Sequence, residues 1–175
     1  LHENTSTLTL PYVDFLQLIT KFEINKKDSK KYSGIIEYIE KNMTKGNLSV
    51  KKDMLPVIQY QPEGSDKEIP LYVASSIVSE ISPLLLVLKS GINFKAMIIE
   101  EPEAHLHPRG QRKIGELVAL AAANGVQIFM ETHSDHVLNG IRLSVRNKKI
   151  SSDKVKINYF YEYLSEEGIQ KHEKT

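Results

Sequence analysis

Cysteine is absent from all 175 residues. That excludes a disulfide framework and any thiolate-held metal, and it fits a cytoplasmic chain. No N-terminal stretch has the layout of a signal peptide, and no apolar run approaches the ~20 residues a membrane helix needs. Neither sign of charge prevails: 23 basic against 22 acidic side chains leave a formal net charge of +1. No chain-wide field therefore argues for a polyanionic partner. Internal repeats and low-complexity tracts are missing too. Nine glycines occur, yet none falls in a GxxxxGK(S/T) loop, so the chain brings no phosphate cradle of that kind. What is left is ordinary for a globular domain, 41% apolar and 26% charged, long enough for one core. Leu1, where a start methionine would stand, leads to the expectation of a piece of a longer chain.

The informative stretch is AMIIEEPEAHLHPR, Ala96 to Arg109. Its apolar run, Ala96 to Ile99, reads as a strand buried on both faces, as in a parallel sheet. Pro102 cannot donate to a ladder and biases Glu101 toward extended backbone. Glu100 and Glu101 are thus expected at the carboxyl end of a central strand, where open α/β sheets place ligands. A strand followed by two acids is the layout of a Walker B motif, in which one carboxylate reaches a magnesium ion and the next orients water. Two solvated glutamates are the simpler reading of that pair alone. A second apolar strand, Val126 to Met130, ends in Glu131-Thr132-His133-Ser134 and so delivers further polar groups to the same edge.

Around these strands the pattern is helical. Gly110 to Asn124 carries an apolar face of Ile114, Leu117, Val118 and Ala121, and the strand–helix–strand order implies a parallel crossover. Ser134 or Asp135 suits the N-cap of a helix running to Arg146. Ile77, Ile81, Leu84, Leu85 and Leu88 follow helical spacing after Ser75-Ser76 and before Gly91, with Pro83 expected to kink that helix. Farther upstream, Pro11–Phe22 and Ser29–Met43 read as helices, the latter stopped by Gly46. Between Asn47 and Val73 the period falls to two, which predicts a small antiparallel meander. Lys154 to Leu164 alternates as a strand, with a turn at Glu166-Glu167-Gly168 and a partner strand from Ile169 to His172.

EEPEAHLHP followed by FMETHSDHVLNGIR resembles the C-terminal half of an ABC/SMC-type ATPase, close to the bacterial AAA-like ATPases that include the OLD (overcoming lysogenization defect) proteins. The resemblance spans Ala96 to Arg142. It implies a P-loop NTPase-like α/β lobe, with a mainly parallel core sheet flanked by helices and a small antiparallel and helical N-terminal portion. By the same resemblance Glu100 is the magnesium ligand, Glu101 the catalytic glutamate and His133 the switch histidine that senses the γ-phosphate. Glu103 to His107, with Glu103 and His105 foremost, would be the D-loop. ASSIV stands where the ABC signature opens its helix, so Ser75 and Ser76 would meet ATP held by a partner protomer. Ile77 departs from the family there by replacing a glycine.

The implied division is a helical segment, residues 1–46, and the C-terminal part of an ABC-type ATPase domain, residues 47–175. The implied cofactors are ATP and Mg2+, both requiring a Walker A lobe that this sequence lacks, so the chain alone is expected to be inactive. The implied partners are that lobe, a second protomer joined through ATP, and DNA or a nuclease; no membrane is implied. A catalytically silent dimerisation or partner-binding module is the competing reading. A zinc site built from His105, His107, His133 and His136 is another, though without the spacing of known zinc motifs.

Overall fold

A computed structural model describes residues 29–52, 56–165 and 168–174. The helix expected over Pro11–Phe22 and the Glu166-Glu167 turn lie outside them. The single helix expected over Ser29–Met43 is three pieces: a 3-10 turn Ser29–Tyr32, α1 Ser33–Ile39 and a π-turn Glu40–Thr44. The apolar spacing of Ile35, Ile39 and Met43 holds through all this, and all three are buried.

Gly46 is not the residue that turns the chain. Lys45 takes the left-handed conformation (φ 50), and Gly46 already belongs to a strand. A Cβ on Gly46 would meet the Gln61 carbonyl at 2.3 Å and the Tyr60 ring at 2.5 Å. Glycine is required there by strand approach, not by helix capping.

Strands β1 (Gly46–Lys52), β2 (Pro56–Pro62) and β3 (Ile69–Pro70) form the expected antiparallel meander. The third strand was expected to reach Val73 but stops at Pro70, whose ring nitrogen has no proton to donate. Leu71–Val73 closes into a 3-10 turn instead. Helix α2 spans Ser76–Ser90 and ends at Gly91 in the left-handed region; Pro83 lies inside without ending it. Lys89 of α2 is buried, paired with Glu40 at 2.7 Å and donating to the Leu48 carbonyl at 3.2 Å. It ties the π-turn, the meander and α2 together.

Strand β4 (Ala96–Glu100) and strand β5 (Gln127–Glu131) pair in parallel, with helix α3 (Pro108–Ala123) between them in the chain. Helix α4 (Asp135–Arg146) follows, packed on α3. One core unites Ile35 and Ile39 of α1, Leu85 and Leu88 of α2, Ile114 and Leu117 of α3, and Val137 of α4. The chain closes with an antiparallel hairpin of β6 (Tyr159–Ser165) and β7 (Gly168–Lys174). The strand expected from Lys154 therefore begins five residues later, because Ser152–Lys154 is a 3-10 turn.

The expectation that β4 is buried on both faces is corrected. Met97, Ile128 and Met130 pack against the core and Ile99 lines the cavity beside it, while Ile98 is 77% and Phe129 56% exposed on the other face. An apolar run cannot by itself say whether both faces are covered; among the described residues the helices cover only one. Between β4 and the helices lies a cavity of ≈ 270 Å³, lined by apolar side chains such as Ile81, Leu84 and Leu117, with Glu80, Glu100 and Glu101 also on its wall. No helix among the described residues is long and apolar enough to cross a membrane.

Tyr38 anchors α1 to α3 by donating to Glu116 at 2.8 Å. Burial, reinforced by the Glu116 carboxylate, holds its phenol well above the ordinary range. A raised folded-state value means that this contribution is intact below pH ~10, the ordinary phenol value, and erodes as pH rises beyond it. Urea unfolding at neutral pH and above pH ~10 should show the protein losing stability relative to Tyr38→Phe across that interval. A difference that stays constant would remove Tyr38 from the pH response.

Candidate active site

The parallel register sets Glu100 directly opposite Glu131 at the carboxyl ends of β4 and β5. The ladder gains one more bond, from the Glu101 amide to the Glu131 carbonyl at 3.1 Å. Immediately afterwards the chain turns. Glu101 has φ 42, in the left-handed region, and not the extended backbone expected before Pro102. A bulky non-glycine residue held there carries strain, and such strain clusters at functional sites. His105, in the same loop, has φ 59.

These turns gather polar side chains at one edge. The His133 Nε2 lies 3.5 Å from a Glu101 carboxylate oxygen and 3.9 Å from one of Glu131. All three side chains are more than half exposed, so the contacts are worth little as stability and leave the groups open to a ligand. Glu103 works on the backbone: its Oε1 accepts from the His133 amide at 2.7 Å, while its Oε2 is buried without a hydrogen-bond partner. Glu100 is exposed at the end of β4.

Gln111 holds this arrangement together, and the sequence reading missed it. From α3 its amide nitrogen donates to the carbonyls of Leu106 (2.9 Å) and Glu103 (3.4 Å), and its Oε1 accepts from the Ser134 hydroxyl at 2.7 Å. Ser134 in turn caps α4, accepting from the amides of His136 (3.1 Å) and Val137 (3.3 Å) as expected. The loop after β4 and the loop after β5 are thereby tied to each other through one side chain. A half-buried glutamine on a helix gives no signal of that role in sequence. Glu131, also outside the predicted set, could have been found from its strand-end position beside His133.

Ser75 and Ser76 stand apart. Both are exposed at the start of α2, Ser75 as its N-cap but with no side-chain capping bond, and neither touches the acidic edge. The departure at Ile77 has a structural cause: its Cδ1 lies 3.4 Å from where a Gly110 Cβ would be, so it packs α2 against the start of α3. His107 is spent as the N-cap of α3, its Nδ1 accepting from the Arg109 amide at 3.2 Å. Among the described residues no three His, Asp or Glu side chains converge as a metal-holding group. The acid edge offers hard oxygen donors suited to Mg2+, which takes one or two carboxylates and completes its shell with water and phosphate.

This α/β arrangement, acids at the ends of parallel strands with helices behind, is the P-loop NTPase fold of ABC/SMC-type AAA-like ATPases. The chain belongs to the family described as "AAA domain, putative AbiEii toxin, Type IV TA system", whose pattern matches residues 9–139. None of the curated proteins matches it significantly. Among solved structures it is similar to one described under "ATP-driven dimerization and DNA stimulated activation of SMC ATPases", with TM-score 0.55, 11% identity and 86% of each chain covered. It is also similar to an SmcHead bound to the C-winged helix domain of ScpA, with TM-score 0.54, 11% identity and 85% of this chain covered. A third is an Smc head domain with an extended coiled coil, bound to the C-terminal domain of ScpA derived from Pyrococcus furiosus, with TM-score 0.51, 11% identity and 85% of this chain covered. The chain spans only 42% and 34% of the lengths of these last two. At such identity the likeness is one of fold.

Proposed function

We propose that the chain is the C-terminal lobe of an ATP-hydrolysing ABC/SMC-like ATPase, with residues 47–175 as that lobe and residues 1–46 as a helical arm of it. The observation that carries this reading is the acidic edge: Glu100 in register with Glu131, and His133 within 3.5 Å of Glu101. Glu100 would hold Mg2+, which supplies charge neutralisation at the transferring phosphate. Glu101 orients the attacking water and accepts its proton. His133, fixed by Glu103 through its own amide, donates to the γ-phosphate as charge develops there. Magnesium and ATP would need a Walker A lobe as well, since the sequence has no GxxxxGK(S/T) loop and, among the described residues, no three metal-holding side chains converge at the edge.

The reading extends to a head-to-tail dimer. Ser75 and Ser76, exposed at a helix start whose amide dipole favours anions, would meet the ATP of a partner protomer. Glu103 and His105 would lie beside that interface as the D-loop. The related heads described above are ATP-dimerising and DNA-stimulated, or bound to ScpA. DNA or a nuclease is accordingly the proposed effector, and the cytoplasm the proposed location. A non-catalytic dimerisation module is the second reading, favoured by Ile77, which stands where a signature glycine would let the backbone approach phosphate closely.

Magnesium-dependent ATP hydrolysis decides between them, measured side by side for this chain and for the longer protein that carries a Walker A lobe. Activity confined to the longer protein is expected. Activity in neither supports the silent module.

A further inference from the structure

We infer, on the role proposed above for His133, that Gln111 is its positioning residue. By joining the turn at residues 103–107 to the loop after β5, Gln111 sets where the imidazole stands. The His133 side chain is 74% exposed, and its contacts with Glu101 at 3.5 Å and Glu131 at 3.9 Å are too long and too open to water to hold a ring in place. Its place is fixed instead through the backbone on either side. There the His133 amide donates to Glu103 Oε1 at 2.7 Å, and the Ser134 amide donates to Thr132 Oγ1 at 3.1 Å. The Ser134 hydroxyl is fully used. Its lone pairs take the amides of His136 at 3.1 Å and Val137 at 3.3 Å, and its one proton goes to Gln111 Oε1 at 2.7 Å.

The other end of the same amide donates to the carbonyls of Leu106 and Glu103. A planar amide is the one side-chain group of this reach that offers an acceptor on one side and two donors on the other. Glutamate would keep the acceptor and lose the donors; leucine would keep the bulk and lose both. The turn it holds is not stable by itself. Glu101 just before it and His105 within it both lie in the left-handed region, at φ 42 and φ 59, and Glu103 Oε2 is buried with no hydrogen-bond partner. Each of these features works against the observed conformation. Because Glu103 also receives the His133 amide, a turn that relaxes carries His133 with it. The helices do not depend on Gln111 in this way: Ile114 and Leu117 of α3 and Val137 of α4 sit in the shared core. Loss of the amide should therefore displace His133 without unfolding the protein.

The test compares Gln111→Leu and Gln111→Glu with the unsubstituted protein carrying both lobes, by two readouts. Without nucleotide and at fixed pH, NMR of isotope-labelled histidine follows the His133 imidazole, its signal assigned by its loss in His133→Asn. Both variants should shift or broaden that signal. With ATP and Mg2+, kcat should fall about ten- to a hundredfold, the cost of a misplaced group. KM for ATP should stay within about twofold, since no contact with bound substrate has been removed. An unmoved His133 signal in both variants overturns the assignment, as does a raised KM with kcat unchanged. Circular dichroism checks the fold: Gln111→Glu, which keeps the acceptor for Ser134, carries the test if Gln111→Leu unfolds. Unfolding of both would make Gln111 part of the scaffold and overturn its positioning role. If the unsubstituted protein hydrolyses no ATP, the proposed function fails by itself, and the NMR signal still decides whether Gln111 places His133.

Discussion

Glu101→Gln in the protein carrying both lobes should abolish ATP turnover while leaving ATP binding intact. The amide keeps the size and the hydrogen-bonding reach of the carboxylate but cannot accept a proton from water. A positioned general base is worth roughly 10²–10⁴ in rate, and single-turnover hydrolysis should fall by that range. Because nucleotide is then held without being consumed, a nucleotide-bound dimer should accumulate, visible by size-exclusion chromatography with light scattering. Glu101→Gly separates chemistry from backbone strain. Relief of the left-handed conformation (φ 42) should raise stability by about 1 kcal/mol, yet turnover should be lost equally. Unchanged hydrolysis in Glu101→Gln would remove this residue from the mechanism and return the weight to the silent module.

The second large effect concerns the scaffold. Helices α3 and α4 cross at Gly115 and Gly140. A Cβ on Gly140 would sit 2.2 Å from the Arg112 carbonyl and 3.0 Å from the Gly115 Cα; one on Gly115 would sit 2.1 Å from the Val137 carbonyl. Those neighbours are backbone and cannot swing aside. Alanine in a helix interior should gain nearly 1 kcal/mol over glycine by propensity. Here Gly140→Ala should instead lose about 3 kcal/mol, the upper part of the usual range for overpacking. For a chain of this size that is a fall of roughly 6–12 °C in Tm, read by calorimetry or thermal circular dichroism. Prising the helices apart also stretches the Gln111–Ser134 bond that joins the two site loops, so ATP turnover should drop even in the fraction that stays folded. A stabilised Gly140→Ala would show that the helices do not cross this closely.

Much of this was legible locally. An apolar run ending in Glu100 and Glu101, a serine before DHVLNGIR and a strand–helix–strand rhythm are each written within a few residues of one another. The structure has β4, α3, β5 and the Ser134 cap within one or two residues of where periodicity put them. Proline was misjudged twice, once by trusting its local preference and once by overlooking it. Pro102 should have left Glu101 extended, and the third strand should have run on to Val73. In the first case the bond from the Glu101 amide to Glu131 and the gathering of the loop around Gln111 outweigh the local preference. In the second the ladder has only Pro70 to offer and stops.

What the sequence determined by itself is the set of elements and the chemical groups at their ends, because hydrophobic period, caps and turn residues act over one or two turns of chain. Only the tertiary structure decided which of those groups meet. The register that opposes Glu100 to Glu131, the 3.5 Å approach of His133 to Glu101, the exposed Ile98–Phe129 face and the Gly115–Gly140 crossing all join residues far apart in the chain. Such contacts are set by how whole faces pack, and packing depends on every element at once.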